Sequence, residues 1–414
     1  MLRVVHRSTS PSLHFPERPL RAASEAAQLH RAPRGPRLLL DREERRRRDV
    51  TVLARSPRFA DYAQVVARRY AGDTLFVYPD VGLLRGILSG KAAYLRRGKA
   101  KAFVALDRSG EPAAFCIAFV DPGLQLKTGR ATGSIGYFEA LDERASTEVL
   151  DAARVWLAGE GVREVWAPFN GKPYNQMGAR EDRFDEPPFI GCAHNPPTTT
   201  RFLGAAGFEL VNRYLNFEID LTSRPWERFD ATRIERMEVR LRPASRLQFR
   251  REVLSYVRLH NTAFRTVWGE VEISDVEALQ TLMRSRLAIV PELFQFAMAG
   301  GTEIGFVLCM PDLSGALAPL HVPLTSPRGV ARLARVRKRA TGVGLLSLAV
   351  APEHQGGGVG TALVAAACRA AAGLRFRHLE YALVAENNEP SKATAARFGG
   401  KPCRSFGIYG SSIG

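Results

Sequence analysis

The sequence lacks most marks of a secreted, membrane-spanning or metal-dependent protein. Its five cysteines, Cys116, Cys192, Cys309, Cys368 and Cys403, stand far apart in 414 residues with no C-x-x-C spacing. That pattern argues against a disulfide framework or a zinc site and for the reduced thiols of a cytoplasmic protein. No His/Asp/Glu cluster falls at ligand spacing, so no metal is expected. No apolar run approaches the roughly eighteen residues needed to cross a bilayer, so no membrane partner is expected either. A glycine-rich loop is present, but no Lys-Ser or Lys-Thr follows it, which sets aside a P-loop. G-x-G-x-x-G has no good register in that loop, which sets aside a dinucleotide fold.

The composition is that of a globular protein, 45% hydrophobic and 24% charged, with length for two or three domains. The net charge is +17. Residues 1–48 hold twelve arginines against five acids, so +7 belongs to that stretch and +10 to the remaining 366 residues. Residues 1–49 read as a disordered basic tail, with a transit peptide as the sharper alternative. A basic body suits an anionic cofactor, RNA, or simply a solvated surface.

The chain is organised around Leu345–Thr361, LLSLAVAPEHQGGGVGT. An apolar run predicts a buried strand that Pro352 ends. A loop from Gln355 to Gly360 follows, then an alanine-rich helix closed at Gly373. Strand, glycine loop and helix N-terminus together form an anion site, because free amides and the helix dipole converge there. Next comes a strand over His378–Ala385, and then Glu386-Asn387-Asn388-Glu389-Pro390-Ser391.

Gln355, Gly358 and Gly360 make the pattern Gln-x-x-Gly-x-Gly, which resembles the pyrophosphate loop of the GNAT superfamily of acyl-CoA-dependent N-acyltransferases. Asn388, Ser391, Gly399 and Gly400 sit at the spacing of that family's second signature. The resemblance implies an acyl-CoA donor, with acetyl-CoA the expected one. Its pyrophosphate would rest on Gln355, Gly356, Gly357, Gly358, Val359, Gly360 and Thr361. A backbone N–H near Leu348 or Val350 would polarise the thioester carbonyl, and the Asn388 side chain would bond backbone freed where two central strands part. The family often has a tyrosine acid four residues past Ser391, but Ala395 stands there. Tyr409 or a water is then the expected proton donor, and Glu386, ending the strand beside the donor, the expected base. Glu270, Glu272 and Asp312 are the next candidates, and His354 lies beside the loop.

Earlier in the chain, hairpin, strand, helix, strand, helix and strand over residues 102–220 follow the same order. Asn195 with Gly207-Phe208 echoes the second signature, but EALDERAS over Glu139–Ser146 has no glycine loop. Ala167-Pro168-Phe169-Asn170 and Phe184–Pro188 resemble segments of a bacterial tandem-GNAT group with no assigned substrate. The fold class implied is α/β with a mixed sheet: two tandem GNAT-like domains, each a twisted, mostly antiparallel sheet flanked by helices. The expected division is 50–221 for a degenerate domain, 222–245 for a linker, and 246–414 for the catalytic domain. Transfer of an acyl group to an amine by direct attack is the leading reading. A Fem-like transferase using aminoacyl-tRNA and a non-catalytic CoA-responsive protein are the alternatives. The expected acceptor is a small-molecule or peptide amine, without nucleic acid, in a cytoplasmic monomer or homodimer.

Overall fold

Segments such as PAAFCIAFV, apolar throughout, can form strands only where both faces of a sheet are covered. The computed structural model describes residues 51–52, 56–77, 79, 81–230, 232–314, 331 and 334–413; the basic segment 1–49 and part of Arg328–Arg339 lie outside them. In it, strands β1 (Thr51–Val52), β2 (Lys99–Leu106), β3 (Pro112–Val120), β4 (Thr132–Ala140) and β5 (Glu164–Ala167) form the first half of a sheet. All nine residues of β3 are buried. Ala114, Cys116 and Ala118 face one core and Phe115, Ile117 and Phe119 the other, the period-two alternation of a strand. Helix α1 (Phe59–Arg69) and helix α2 (Val81–Leu88) cover the aromatic side. A short α3 (Pro122–Thr128) precedes β4, and α4 (Glu143–Gly159) links β4 to its parallel neighbour β5 and covers the other face. The short β6 (Ala179–Arg180), helix α5 (Thr198–Ala205) and β7 (Glu209–Asp220) follow.

The second half repeats the plan. Helix α6 (Thr232–Arg236) and β8 (Arg240–Pro243) lie within 222–245, and β8 pairs with β9 (Phe294–Ala299) as an edge strand. Helices α7 (Phe249–Ala263) and α8 (Asp275–Ser285) come between them. A hairpin joins β9 to β10 (Thr302–Pro311), which pairs with β11 (Gly342–Val350). Helix α9 (Val359–Gly373) leads to β12 (His378–Ala385), parallel to β11. Helix α10 (Glu389–Arg397) precedes β13 (Lys401–Ser412). Phe294, Phe296, Phe306 and Leu308 face α7, while Ala297, Val307 and Cys309 join the core under α9.

The last strands do not stay at home. From sequence, the alternating segment Tyr214–Asp220 reads as the closing strand of the first half and Gly407-Ile408-Tyr409 as part of the final strand of the second. Instead β7 pairs with β12 of the second half, Phe217 opposite Tyr381. The terminal β13 pairs with β5 of the first half, Tyr409 opposite Ala167, and also with β7. The order β5-β13-β7-β12 fuses the halves into a single sheet, of 13 strands among the described residues. Each parallel pair is bordered by a strand from the other half, so neither half can satisfy its central backbone groups alone.

No helix among the described residues is long and apolar enough to cross a membrane.

Candidate active site

Strands β11 and β12 pair from Gly342–His378 to Leu345–Tyr381 and then part. Two irregularities drive the separation. In β11, Leu346 is skipped in the register with β10. In β12 the register with β7 shifts between Tyr381 and Val384, Leu383 sits at φ +53, and its N–H donates to Asn216 Oδ1 at 2.7 Å. Both strands thereby lose ladder partners over the same stretch. The gap opens into a cleft of about 1150 Å³, with Leu348, Ala349 and Val350 on one wall and Tyr381 and Ala385 on the other.

The glycine loop closes one end of this cleft. Gln355 Nε2 donates to the Val350 carbonyl at 2.9 Å, tying the loop to the strand it follows. Gly358, the N-cap of α9, has φ +94, a conformation for which a side chain is poorly suited, and it offers no side-chain cap. The first amides of α9, those of Val359, Gly360 and Thr361, have no acceptor within the helix. Helix α9 therefore meets the cleft with its positive end unneutralised. Leu348, Val350, Gln355, Gly356, Gly358, Gly360, Thr361, Asn388 and His354 all line the cleft. Two residues of the expected cradle sit differently. The Val359 side chain is buried in the core, and a Cβ on Gly357 would lie 2.9 Å from Met237 Cε. Asn388 corrects an expectation: its Oδ1 accepts from the Ser391 N–H at 3.1 Å, so it caps α10 rather than bonding parted strand backbone.

The first half shows what an occupied version of this geometry looks like. Its parallel pair also parts, after Ser134–Trp166, and Tyr137 takes φ +48 at the irregularity. Here the protein fills the slot itself. Phe169 N–H donates to the Ile135 carbonyl at 2.8 Å, and Asn170 Oδ1 accepts from Tyr137 N–H at 2.6 Å. A Cβ on Gly136 would lie 2.6 Å from Asn170 Cα, so the plug packs against bare backbone. The N-terminus of α4 is capped by Asp142, whose Oδ1 accepts from Ala145 N–H at 2.8 Å. The plugged slot and the carboxylate cap set the first half apart from the open cleft and uncapped helix of the second.

Beyond the parted strands a second pocket of about 670 Å³ shares Lys127 and Phe264 with the cleft. Both halves build it. Tyr94, Asp121 and Lys172 come from the first, His260, Glu270 and Glu277 from the second. Trp166 and Trp268 stack across the junction with centroids 4.1 Å apart. The Glu270 side chain is only 18% exposed. Burial pushes its carboxyl up to about 7, against the pull of the Lys127 and Lys172 charges. Its Oε2 has no hydrogen-bond partner, and His260 Nε2 stands 3.8 Å away. Burial lowers that imidazole to about 4, so it is neutral near pH 7. A carboxylate that titrates near neutrality in a pocket adjoining the cleft can take a proton from an ammonium.

The structure places the other expected catalytic residues elsewhere. Glu386 is exposed, 3.7 Å from Arg213, and outside the residues that line the cleft. Tyr409 lies on β13 against the first-half core, its hydroxyl 3.1 Å from Glu181 Oε1. Burial and the Glu181 charge push that phenol up to about 12. The strand exchange is the physical reason, because it carries β13 away from β12 with β7 between them. Glu272 lines the second pocket from an exposed position. Asp312 is spent on the amides of Ile190 and Ser314. Ala395 is fully buried, so no acid acts from that position.

Residues 275–399 match the model of the acetyltransferase (GNAT) family. A protein named YghO from Escherichia coli is 22% identical over 318 residues, which is 74% of this chain and 80% of that protein. A bacterial ceramide synthase from Caulobacter vibrioides is 27% identical over 209 residues, half of this chain and 54% of that one. Among solved structures, a tandem GNAT protein from the clavulanic acid biosynthesis pathway matches with a TM-score of 0.52 at 14% identity, covering 88% of this chain and 99% of the other. The glucosamine N-acetyltransferase region of a fungal multi-domain protein matches with a TM-score of 0.51 at 13% identity, over 87% of this chain and 38% of that one. At these identities the structural likeness establishes the fold.

Proposed function

We propose, taking residues 275–399 as a GNAT-family domain within a chain of tandem GNAT fold, that the protein is an acyl-CoA-dependent N-acyltransferase with one donor site. The observation that carries this reading is the coincidence of a parted parallel pair with an uncapped helix N-terminus at its end. The amides of the first turn of α9 would hold the pyrophosphate. The pantetheine arm would lie between Leu348–Val350 and Tyr381–Ala385, its amides meeting the strand groups left unpaired there. A β11 N–H near Leu348 or Val350 would then polarise the thioester carbonyl, a contribution typically worth about 3 kcal/mol of barrier.

The acceptor amine enters from the second pocket. Glu270 takes its proton before attack, nitrogen bonds to the carbonyl carbon, and the carbon–sulfur bond breaks. Tyr381 is the phenol that lines the cleft, and burial raises it to about 12. It is the group placed to protonate the departing thiolate, in the role first assigned to Tyr409. The relative named as a ceramide synthase supports amide formation, since a ceramide is an N-acyl product. It also brings acyl groups longer than acetyl into consideration as donors.

Thiol release from acetyl-CoA and longer acyl-CoA thioesters, measured against pooled amines with mass spectrometry of the products, tests the reading. Amine-dependent release with a matching amide is expected. Tight CoA binding without release from any thioester would replace the enzyme with a CoA-responsive binding protein.

A further inference from the structure

The second pocket contains more hydrogen-bonding capacity than proton transfer requires. Resting on the acyltransferase reading, we propose that it takes an amine bearing a hydroxyl group, an amino alcohol, and that the first half recognises the hydroxyl through Tyr94. Three buried polar atoms of residues lining this pocket have no partner, Tyr94 Oη, Glu270 Oε2 and His260 Nδ1, and the first two are the ones placed to read the two groups of an acceptor. Tyr94 is 5% exposed, and its phenol is held neutral by burial and by the nearby Asp121 and Glu277 charges. Native proteins seldom leave such atoms unsatisfied, so ligand groups or water are expected against them. Glu270 suits the amine. A neutral phenol that can donate or accept suits a hydroxyl.

The charges around Tyr94 favour a neutral group there over an anion. Lys172, 6% exposed, stands 3.5 Å from both Asp121 Oδ2 and Glu277 Oε1 and donates to the Glu272 carbonyl at 2.8 Å. Its charge is thus already balanced by two carboxylates. Lys127 is likewise engaged, donating to the carbonyls of Phe264 and Arg265. Asp121, Glu270 and Glu277 stand against Lys172 and the half-buried Lys127, an excess of one negative charge that favours an ammonium over a carboxylate. Arg97 and Arg265 also line the pocket, but from exposed positions. Having filled its own donor slot, the first half would act as the wall that selects the acceptor.

The test uses the full chain and sets of acceptors that differ at one group. The shortest set is 2-aminobutan-1-ol, 3-aminopentane, which has methyl in place of hydroxyl, and 2-aminobutanoate; longer homologues extend it. Thiol release gives kcat/KM for each, corrected to the free amine. The amino alcohol should exceed its methyl counterpart by about tenfold or more, the cost of leaving a buried hydroxyl unpaired. Tyr94→Phe should lower the value for the alcohol alone and bring the pair within a few-fold. Equal wild-type values would mean that the pocket holds only water beside Tyr94 and would overturn the proposal, whatever the folding of the variant. Preference for the carboxylate, or an alcohol preference unchanged in folded Tyr94→Phe, would overturn it too. Loss of thiol release with every amine would instead remove the acyltransferase reading on which it rests.

Discussion

Glu270→Gln should make the enzyme slower and the protein more stable, and pH separates the two effects. Burial raises the carboxyl from 4.5 to about 7, so its ionised form is worse accommodated in the folded chain than in the unfolded one. The difference, at 1.36 kcal/mol per pH unit, amounts to about 3 kcal/mol. Below pH 4.5 the group is protonated in both states and costs nothing. As pH rises from 4.5 to 7 only the unfolded chain loses the proton, so wild-type stability falls, and above 7 the full deficit remains. Glutamine, which carries no charge, should therefore raise the unfolding free energy at pH 8 by up to about 3 kcal/mol and by very little at pH 4.5. Turnover should move in the opposite direction, falling about 10²–10⁴-fold at pH 8 with loss of the base. The wild-type rate should rise through an inflection near pH 7 that the variant lacks. Chemical denaturation at both pH values and a pH–rate profile measure the two arms. A variant that is stabilised but keeps the wild-type profile would remove Glu270 from the reaction. A variant whose stability gain does not depend on pH would refute the account of its burial.

Three further substitutions or truncations probe other parts of the account. Gly358→Val forces a β-branched residue to φ +94 at the start of α9, and should weaken CoA binding in calorimetry by tenfold or more, by displacing the first-turn amides. Deleting Lys401–Ser412 removes the strand that pairs with both β5 and β7, so the truncated chain should fail to unfold as one cooperative unit in differential scanning calorimetry. Glu386→Gln and Tyr409→Phe, both outside the cleft lining, should leave kcat within a few-fold of wild type.

The donor end of the site was legible because its signals are local. An apolar run stopped by proline, followed by glycines and an alanine-rich helix, permits few structures, and β11, the loop, α9 and β12 lie where those signals place them. Partnership between strands was not legible. The alternation in Tyr214–Asp220 tells which face is buried but not which neighbour supplies the hydrogen bonds, so the exchange of β7 and β13 was missed. Tyr409 went astray for that reason, having been offered as the substitute for the acid missing at Ala395 before the partners of its strand were known. The start of helix α8 carried a local signal that went unread, the capping box of Ser274 and Glu277. Glu270 was among the lesser candidates on its loop, but what raises it is burial, and the Lys127 and Lys172 charges that oppose the rise come from segments distant in sequence. Tyr94, Asp121 and Lys172 carry no motif, and only the fold brings them to one pocket.

The central claim is that one parted strand pair is open to a donor and its counterpart is plugged by Phe169 and Asn170. Calorimetric titration of the full chain with acetyl-CoA, repeated with a longer acyl-CoA, tests it most directly. The account predicts saturation at one molecule per chain. Two per chain would mean that the first-half slot opens to ligand, and no binding of either thioester would mean that the cleft between β11 and β12 is not a donor site.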